Sequence, residues 1–170
     1  GKYVPYTDKN PESLINVLLN MKKKVPEWIR LNRVVRDIPN TAIDGTKYIY
    51  GGNKVTNLRQ VLHQRLNKEG EFCRCIRCRE VKKNLYLVKY SRCVVRKYSS
   101  SGGDEYFISI ESGNNKDSYY ENETWYYNGK NEPGIIYGFL RLRICNKKTY
   151  FKNKYFPELE DCGLVRELHV

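Results

Sequence analysis

Three cysteines within six residues carry the strongest chemical signal in the sequence. They form the motif Cys73-Arg-Cys75-Ile-Arg-Cys78. Thiolates at such short spacing can bind one metal ion from a single tight turn, and zinc in structural sites takes four thiolate or imidazole ligands in a tetrahedron. The arginines between and after the cysteines would lower the thiol pKa values and offset the charge of a thiolate complex. The motif therefore predicts a zinc knuckle with three of its ligands.

The spacing leaves the fourth zinc ligand open. The remaining candidates are Cys93, Cys145, Cys162, His63 and His169. Cys145 is favoured because it ends a predicted strand, which is a fixed position at the edge of a sheet. An iron–sulfur cluster and a set of reduced thiols without metal are the two alternatives. Since three of the six cysteines are too crowded for separate disulfides and no signal peptide is visible, we expect a reduced, cytoplasmic protein.

Two polar residues near the C-terminus of the chain could take part in chemistry. Glu167 would act as a general base if it were buried beside a nucleophile. His169 lies two residues further on. Spacing alone favours a structural role for both side chains.

The net charge predicts a polyanionic partner. The 170 residues include 31 Lys and Arg but only 19 Asp and Glu, which gives a net charge of +12. Such a surface attracts phosphates through counterion release, so RNA or DNA is the leading partner class, ahead of an anionic membrane or an acidic protein. Solubility alone is the alternative explanation of the charge. Hydrophobic residues at 40% exclude a wholly disordered chain, and the sequence has no apolar run of the ~20 residues that a membrane-spanning helix needs.

Two amphipathic helices are predicted in the first half of the chain. Asn10 and Pro11 have the residue types of a helix start, and apolar residues follow at Leu14, Leu18, Met21 and Val25. The lysines at 22–24 would lie in the last turn and in solvent. A second helix is expected over 57–68, with a capping box at its start, an apolar stripe from Leu58 to Leu66, and an end at Gly70.

The second half predicts an antiparallel sheet, so the expected fold class is α+β. A strand over 29–38 precedes it, and further strands are expected over 80–97, 105–110, 135–145, 149–156 and 164–170. Residues 112–133 form a surface insertion, with a hairpin of its own as one option. Because a sheet must bury one face against another layer, the sequence is expected to be incomplete at its C-terminal end.

Six stretches, taken in order along the chain, resemble the catalytic subunit of the Elongator complex. They are Arg33-Val-Val-Arg-Asp-Ile-Pro39, Asn57-Leu-Arg-Gln60, Cys73-Arg-Cys-Ile-Arg-Cys-Arg-Glu80, Glu105-Tyr-Phe-Ile-Ser109, Gly138-Phe-Leu-Arg-Leu-Arg143 and Arg166-Glu-Leu-His-Val170. Together they span the chain apart from the insertion. The resemblance implies a parent enzyme with a radical S-adenosylmethionine (SAM) barrel and a GNAT-type acetyltransferase, which together modify C5 of the wobble uridine of tRNA to a carboxymethyl-type product.

The resemblance also implies a division of the chain. Residues 1–44 would be the C-terminal tail of the radical SAM domain, 45–80 a basic connector with the zinc knuckle, and 81–170 the first half of the acetyltransferase sheet. The iron–sulfur motif of the radical domain and the Gly-rich loop that holds the CoA pyrophosphate are absent from the sequence. We therefore expect the fragment itself to be inactive.

The implied sites follow from this division. The acetyl-CoA site would retain Glu167, Leu168, His169 and Val170, with Glu167 as the catalytic candidate. The tRNA would contact cations of the connector and knuckle. The candidates are Arg33, Arg36, Lys54, Arg59, Arg74, Arg77 and Arg79, of which Arg36 beside Asp37 and Arg79 beside Glu80 could instead form structural ion pairs. Other Elongator subunits are further expected partners. Two other functions remain open, namely a non-catalytic zinc-stabilised RNA-binding module and a protein lysine acetyltransferase.

Overall fold

The chain has an α+β fold that divides into two compact units, Gly1–Cys78 and Arg79–Val170. The computed structural model describes residue 4 and residues 6–32, 55, 57–145 and 162–170. Helices make up the first unit, and antiparallel sheets make up most of the second. Within the described residues, no helix has the length and apolar character needed to cross a membrane. The predicted fold class is confirmed at this level.

The first unit contains α1 (Tyr6–Lys9), α2 (Pro11–Lys24) and α3 (Leu58–Lys68). Helix α2 starts where the sequence predicts, because the side chain of Asn10 accepts a hydrogen bond of 3.2 Å from the backbone N–H of Ser13. Its buried face is shifted by one position from the predicted stripe at three of four places, and only Val25 is buried as predicted. Ile15, Leu19 and Lys22 are buried, whereas Met21 is exposed. The predicted solvent position of Lys22 is therefore wrong.

Helix α3 has the predicted apolar stripe but a different start. Leu58, Leu62 and Leu66 are buried in the core of this unit. Asn57 adopts a left-handed conformation with φ of 58°, and its side chain makes no capping hydrogen bond, so the predicted capping box is wrong. Gly70 follows the helix with φ of 69°, which is the left-handed geometry that glycine tolerates best after a helix end.

A short helix and a 3₁₀ helix lead into the sheet. Helix α4 (Ile76–Arg79) begins in the cysteine motif, and a 3₁₀ helix, η1 (Leu85–Tyr90), lies in the first half of the region 80–97, for which the sequence predicts strand. Residues 29–32 are not in a strand, which corrects the first part of the predicted strand over 29–38. The rest of that strand and the predicted strand over 149–156 lie outside the described residues.

The strands form two antiparallel sheets. They are β1 (Arg92–Ser100), β2 (Gly103–Ser112), β3 (Tyr119–Glu121), β4 (Thr124–Tyr127), β5 (Lys130–Glu132), β6 (Ile135–Cys145) and β7 (Gly163–His169). The larger sheet has the order β1-β2-β6-β7, and β3-β4-β5 form a small sheet inside the insertion. The insertion therefore has a sheet of its own, one strand larger than the predicted hairpin.

A buried carboxylate holds the sheet unit together. Glu111, on β2, accepts hydrogen bonds from Arg96 at 2.7 and 3.1 Å, from Ser109 at 2.6 Å and from the indole N–H of Trp125 at 3.3 Å. A guanidinium nitrogen of Arg79 lies 2.9 Å away. Because Trp125 belongs to the small sheet, its hydrogen bond to the Glu111 side chain connects the insertion to the larger sheet.

The ion pairs of Glu111 give it a pH-dependent role in stability. Burial by itself raises the pKa of this carboxyl, but the charges of Arg79 and Arg96 outweigh burial and lower the pKa to about 2 from its ordinary 4.5. The folded pKa thus lies below the unfolded one. Glu111 therefore contributes its full stabilisation above about pH 4.5, and this contribution is lost as the pH falls towards 2.

The Glu111→Gln substitution is expected to lower the free energy of unfolding by about 3–5 kcal/mol at pH 7, because two buried guanidinium groups lose their counter-charge. Urea unfolding at pH 7 and at pH 3 measures the effect, and the difference from the wild type should be smaller at pH 3. Asp104→Asn is the control, since Asp104 forms an exposed ion pair with Lys97 and should change stability little. Equal losses of stability in the two variants would contradict the assignment.

Candidate functional site

The predicted cysteine knuckle exists as a compact cluster of sulfur atoms. The thiol groups of Cys73, Cys75 and Cys78 all lie within 4.8 Å of one another. Cys73 and Cys75 are buried, and Cys78 is half-buried in α4. The backbone fixes the turn, because the N–H of Cys78 donates to the carbonyl of Cys75 at 3.0 Å and the N–H of Ile76 donates to the carbonyl of Ile29 at 2.9 Å. None of the six cysteines forms a disulfide.

The three thiols are hydrogen-bonded to one another. The pKa of Cys75 is lowered to about 2, mainly because the thiols of Cys73 and Cys78 donate hydrogen bonds to its sulfur. The pKa of Cys73 is raised, because its thiol is the donor to Cys75 and to Cys78 and because it is buried. Of the three thiols, Cys75 is therefore the one whose charged form is favoured. A divalent cation that displaced the remaining protons would use all three sulfur atoms as ligands.

Nitrogen atoms surround the sulfur of Cys78. The ammonium of Lys22 lies 3.8 Å from it, a guanidinium nitrogen of Arg59 lies 3.7 Å from it, and the Nε2 atom of His63 lies 3.5 Å from it. Lys22 is only 1% exposed. The position of this lysine explains the shifted face of α2, because its buried ammonium contacts the sulfur of Cys78 in place of water. Sequence periodicity missed Lys22 because a lysine in the last turn of a helix is ordinarily solvated.

The predicted fourth zinc ligand belongs to the other compact unit. Cys145 ends β6 in the other unit, and among the described residues the group of neighbouring donor atoms contains the three knuckle cysteines. Cys93 and Cys162 are exposed. His63, on α3, is the candidate from the sequence whose nitrogen is closest to a knuckle sulfur, at 3.5 Å from Cys78. The assignment of Cys145 stays a prediction.

The arginines of the knuckle differ in their exposure. Arg77 is exposed. Arg74 is ion-paired with Glu27 at 3.1 Å, and its guanidinium carbon lies 5.0 Å from the centre of the Phe72 ring. Arg59 points to the thiol cluster. Arg33, Arg36 and Lys54 lie outside the described residues.

Arg79, one of the predicted RNA-binding residues, is buried in an ion pair. It is 3% exposed, and its guanidinium is bound to the buried carboxylate of Glu111. The structure therefore favours the structural ion pair that the sequence left open for Arg79, with Glu111 as a partner. A buried, charge-paired guanidinium has little surface to offer a phosphate, so the RNA contact of Arg79 stays a prediction of the sequence alone.

Strand β7 lies at one end of the larger sheet and carries the predicted acetyl-CoA residues. Leu168, His169 and Val170 line an apolar groove of about 290 Å³, together with Phe139 and other residues of β2 and β6. The His169 ring lies 5.5 Å from the Phe139 ring. Glu167 is opposite Arg141 in the register, and its carboxylate lies 2.8 Å from the guanidinium of Arg141. That ion pair joins β7 to β6.

Comparisons with known proteins match the chain over its whole length. No family model matches it. The chain is 32% identical to the tRNA uridine(34) acetyltransferase of Methanocaldococcus jannaschii, over 100% of this chain and 27% of that protein. It is 34% identical to the tRNA uridine(34) acetyltransferase of Dehalococcoides mccartyi, over 100% of this chain and 31% of that protein. It is 32% identical to Elongator complex protein 3 of Dictyostelium discoideum, over 97% of this chain and 25% of that protein.

A solved structure shows the same similarity. The archaeal Elp3 of Methanocaldococcus infernus, with an N-terminal deletion, matches with a TM-score of 0.66 at 32% identity, covering 94% of this chain and 32% of that chain. Fold and site thus define an α+β protein in which a cysteine knuckle precedes an antiparallel sheet. The chain is homologous to the proteins named tRNA uridine(34) acetyltransferase and Elongator complex protein 3, as its motifs predict, and it spans about a quarter to a third of the length of these relatives.

Proposed function

We propose that this chain is part of a tRNA uridine acetyltransferase that acts on the wobble uridine and uses acetyl-CoA together with SAM. The observation that carries the proposal is the match over the whole chain, at 32–34% identity, to relatives named tRNA uridine(34) acetyltransferase. From the resemblance to the Elongator catalytic subunit, we extend the proposal to chemistry at C5 of this uridine, with a carboxymethyl-type product. The relatives' names favour it over a non-catalytic RNA-binding module and over a protein lysine acetyltransferase.

The proposed division of the chain keeps the boundaries that the resemblance implies. Residues 1–44 would end a radical SAM domain with its iron–sulfur cluster elsewhere in the parent protein, 45–80 would form the connector, and 81–170 would begin a GNAT-type sheet. The division between the two compact units after Cys78 supports a boundary near the end of the connector.

The proposed acetyl-CoA site lies at β7. An apolar groove suits the pantetheine arm and the acetyl group, and the backbone of an outer strand can hydrogen-bond an extended ligand. Leu168 is 68% exposed and lies at this groove. For Glu167, the catalytic candidate of the sequence, the ion pair with Arg141 supports a positioning role, because the contact holds β7 against β6 beside the groove.

The proposed metal is zinc. Cys73, Cys75 and Cys78 would supply three thiolates, and the donor set suits zinc because thiolate and imidazole are its preferred structural ligands. For the fourth position we propose His63 as the alternative to the predicted Cys145, because its Nε2 atom lies 3.5 Å from the sulfur of Cys78. Bound zinc would fix the knuckle and offset its thiolate charge, while Lys22 and Arg59 would compensate the remaining negative charge.

Zinc affinity tests the compensating charge. The chain should bind one equivalent of zinc in competition with a chromophoric chelator, and Lys22→Met should weaken binding by about 10–100-fold, the range for outer-shell partners of metal ligands. Lys24→Met, which removes an exposed lysine of the same helix, should leave the affinity unchanged. Lys22→Arg should restore most of it, since it keeps the charge. Equal affinities of the Met variants would contradict the role of Lys22.

The fourth ligand is tested in the same assay. His63→Gln should weaken zinc binding and alter the absorption of the cobalt-substituted protein, because cobalt spectra report the ligand set. Cys145→Ser should change neither quantity. The opposite result, with the larger decrease in zinc affinity in Cys145→Ser, would reinstate Cys145 as the ligand. A wild-type chain that binds no zinc would refute the metal site itself.

The proposed tRNA contact in the knuckle rests on Arg77, the exposed arginine of the motif. The Arg77→Glu substitution should weaken the binding of transfer RNA and reduce the slope of log affinity against log salt by about 1, the value for one phosphate contact. Lys24→Glu changes the net charge equally and is the control for long-range attraction. Filter binding at several salt concentrations measures both. If the two variants behave alike, Arg77 makes no specific phosphate contact.

A further inference from the structure

The 3₁₀ helix η1 presents large side chains to solvent. Leu87 is its one buried residue, at 1% exposure. Tyr86 is 66% exposed and Tyr90 is 41% exposed, and the apolar residues Leu85 and Val88 are exposed as well. Clustered apolar and aromatic exposure of this kind is typical of an interaction surface, because a soluble domain ordinarily scatters such residues.

Hydrogen bonds and packing fix η1 in place. The N–H of Leu87 donates to the carbonyl of Asn84 at 3.1 Å, and the N–H of Ser91 donates to the carbonyl of Val88 at 3.0 Å. The hydroxyl of Tyr137, on β6, donates to the same carbonyl of Asn84 at 3.4 Å. The buried side chain of Leu87 adds an apolar anchor. The exposed tyrosines are therefore carried by an anchored element, which lowers the entropy cost of binding.

Positive charge surrounds these tyrosines. Tyr86, Lys89 and Tyr90 line a groove of about 400 Å³ together with Asn115 and Lys116 of the loop before β3. The ammonium of Lys89 lies 5.1 Å from the centre of the Tyr90 ring. Lys82 and Lys83 are exposed just before η1. The segments that form the groove include one acidic residue, Asp117, beside Lys116.

We propose that this groove, formed by Tyr86, Lys89, Tyr90, Asn115 and Lys116, binds an unpaired nucleotide of an RNA strand. The base would stack on the tyrosines, and Lys89 and Lys116 would contact the flanking phosphates. Alternating aromatic faces and cations are how proteins bind single-stranded nucleic acid, since every base has a π-face and every linkage a charge. An acidic peptide would use the lysines but would leave the aromatic faces unused.

The proposal rests on the proposed function in tRNA modification, because it assigns a second RNA contact to the same protein. It differs from the knuckle contact in kind. Arg77 would contact a phosphate without regard to base pairing, whereas the tyrosine groove requires a base that is not stacked in a duplex. Loops and single-stranded ends of a folded RNA supply such bases.

Binding of RNA by the full chain tests the groove. The double substitution Tyr86→Ala and Tyr90→Ala should weaken binding of a short single-stranded oligouridylate by roughly 5- to 100-fold, the range for removal of one stacked base. Phe at both positions should restore affinity to within about twofold, since it keeps the ring. Tyr119→Ala removes an exposed tyrosine outside the groove and should leave binding unchanged.

Salt dependence separates stacking from charge. The Tyr→Ala pair should lower affinity without changing the slope of log affinity against log salt. The pair Lys89→Ala and Lys116→Ala should reduce that slope by about 0.7 for each phosphate that the protein no longer neutralises. A double-stranded RNA of the same length should bind the wild type and the Tyr→Ala pair equally. Thermal melting confirms that each variant folds.

Three results would overturn the proposal or its premise, and they are distinguishable. If the wild type binds neither transfer RNA nor the oligouridylate, the proposed function fails. If the wild type binds but the Tyr→Ala pair binds equally well, the groove is not a nucleotide site. If sedimentation shows that the wild type self-associates and the Tyr→Ala pair is monomeric with unchanged RNA affinity, the face is an interface between copies of the chain.

Discussion

Negative charge held inside the protein is the constraint on which the helical unit depends. Three sulfur atoms within 4.8 Å of one another, two of them buried, cannot carry a thiolate without nearby positive charge. Lys22 comes from α2 and Arg59 from α3, and each has a nitrogen within 3.8 Å of the Cys78 sulfur. The sulfur cluster thereby determines which faces of two helices turn inward, and a buried lysine on α2 is the consequence.

The sheet unit also pairs a buried negative charge with positive side chains, but the negative group is a single carboxylate. There a single carboxylate, that of Glu111, is buried between Arg79 and Arg96. Cys78 and Arg79 are consecutive residues, so one serves the thiol cluster and the next serves the carboxylate.

Sequence reasoning predicted the elements that rest on local chemistry. The start of α2 at Asn10, the stripe of α3 and the long strand β6 follow from capping, periodicity and apolar runs. It failed where a tertiary contact reverses a local preference. Lys22 looks solvated until Cys78, 56 residues later, is placed beside it. For Arg79 the sequence offers its neighbour Glu80 as a partner, and only the structure shows the distant Glu111. The resemblance of ordered motifs identified the family, while the positions of the charges required the structure.

Arginines and lysines, which together give the net charge of +12, lie in different surroundings. Seven arginines of the described residues pair with carboxylates, namely Arg65, Arg74, Arg79, Arg96, Arg141, Arg143 and Arg166. A planar guanidinium suits such pairs, whereas an ammonium on a flexible stem is a hydrated point charge that suits surfaces. The positive charge that remains at the surface therefore includes much lysine, as around η1. Lysines attract phosphate without reading the base, so any preference for unpaired RNA at this surface must come from the tyrosines that the lysines surround.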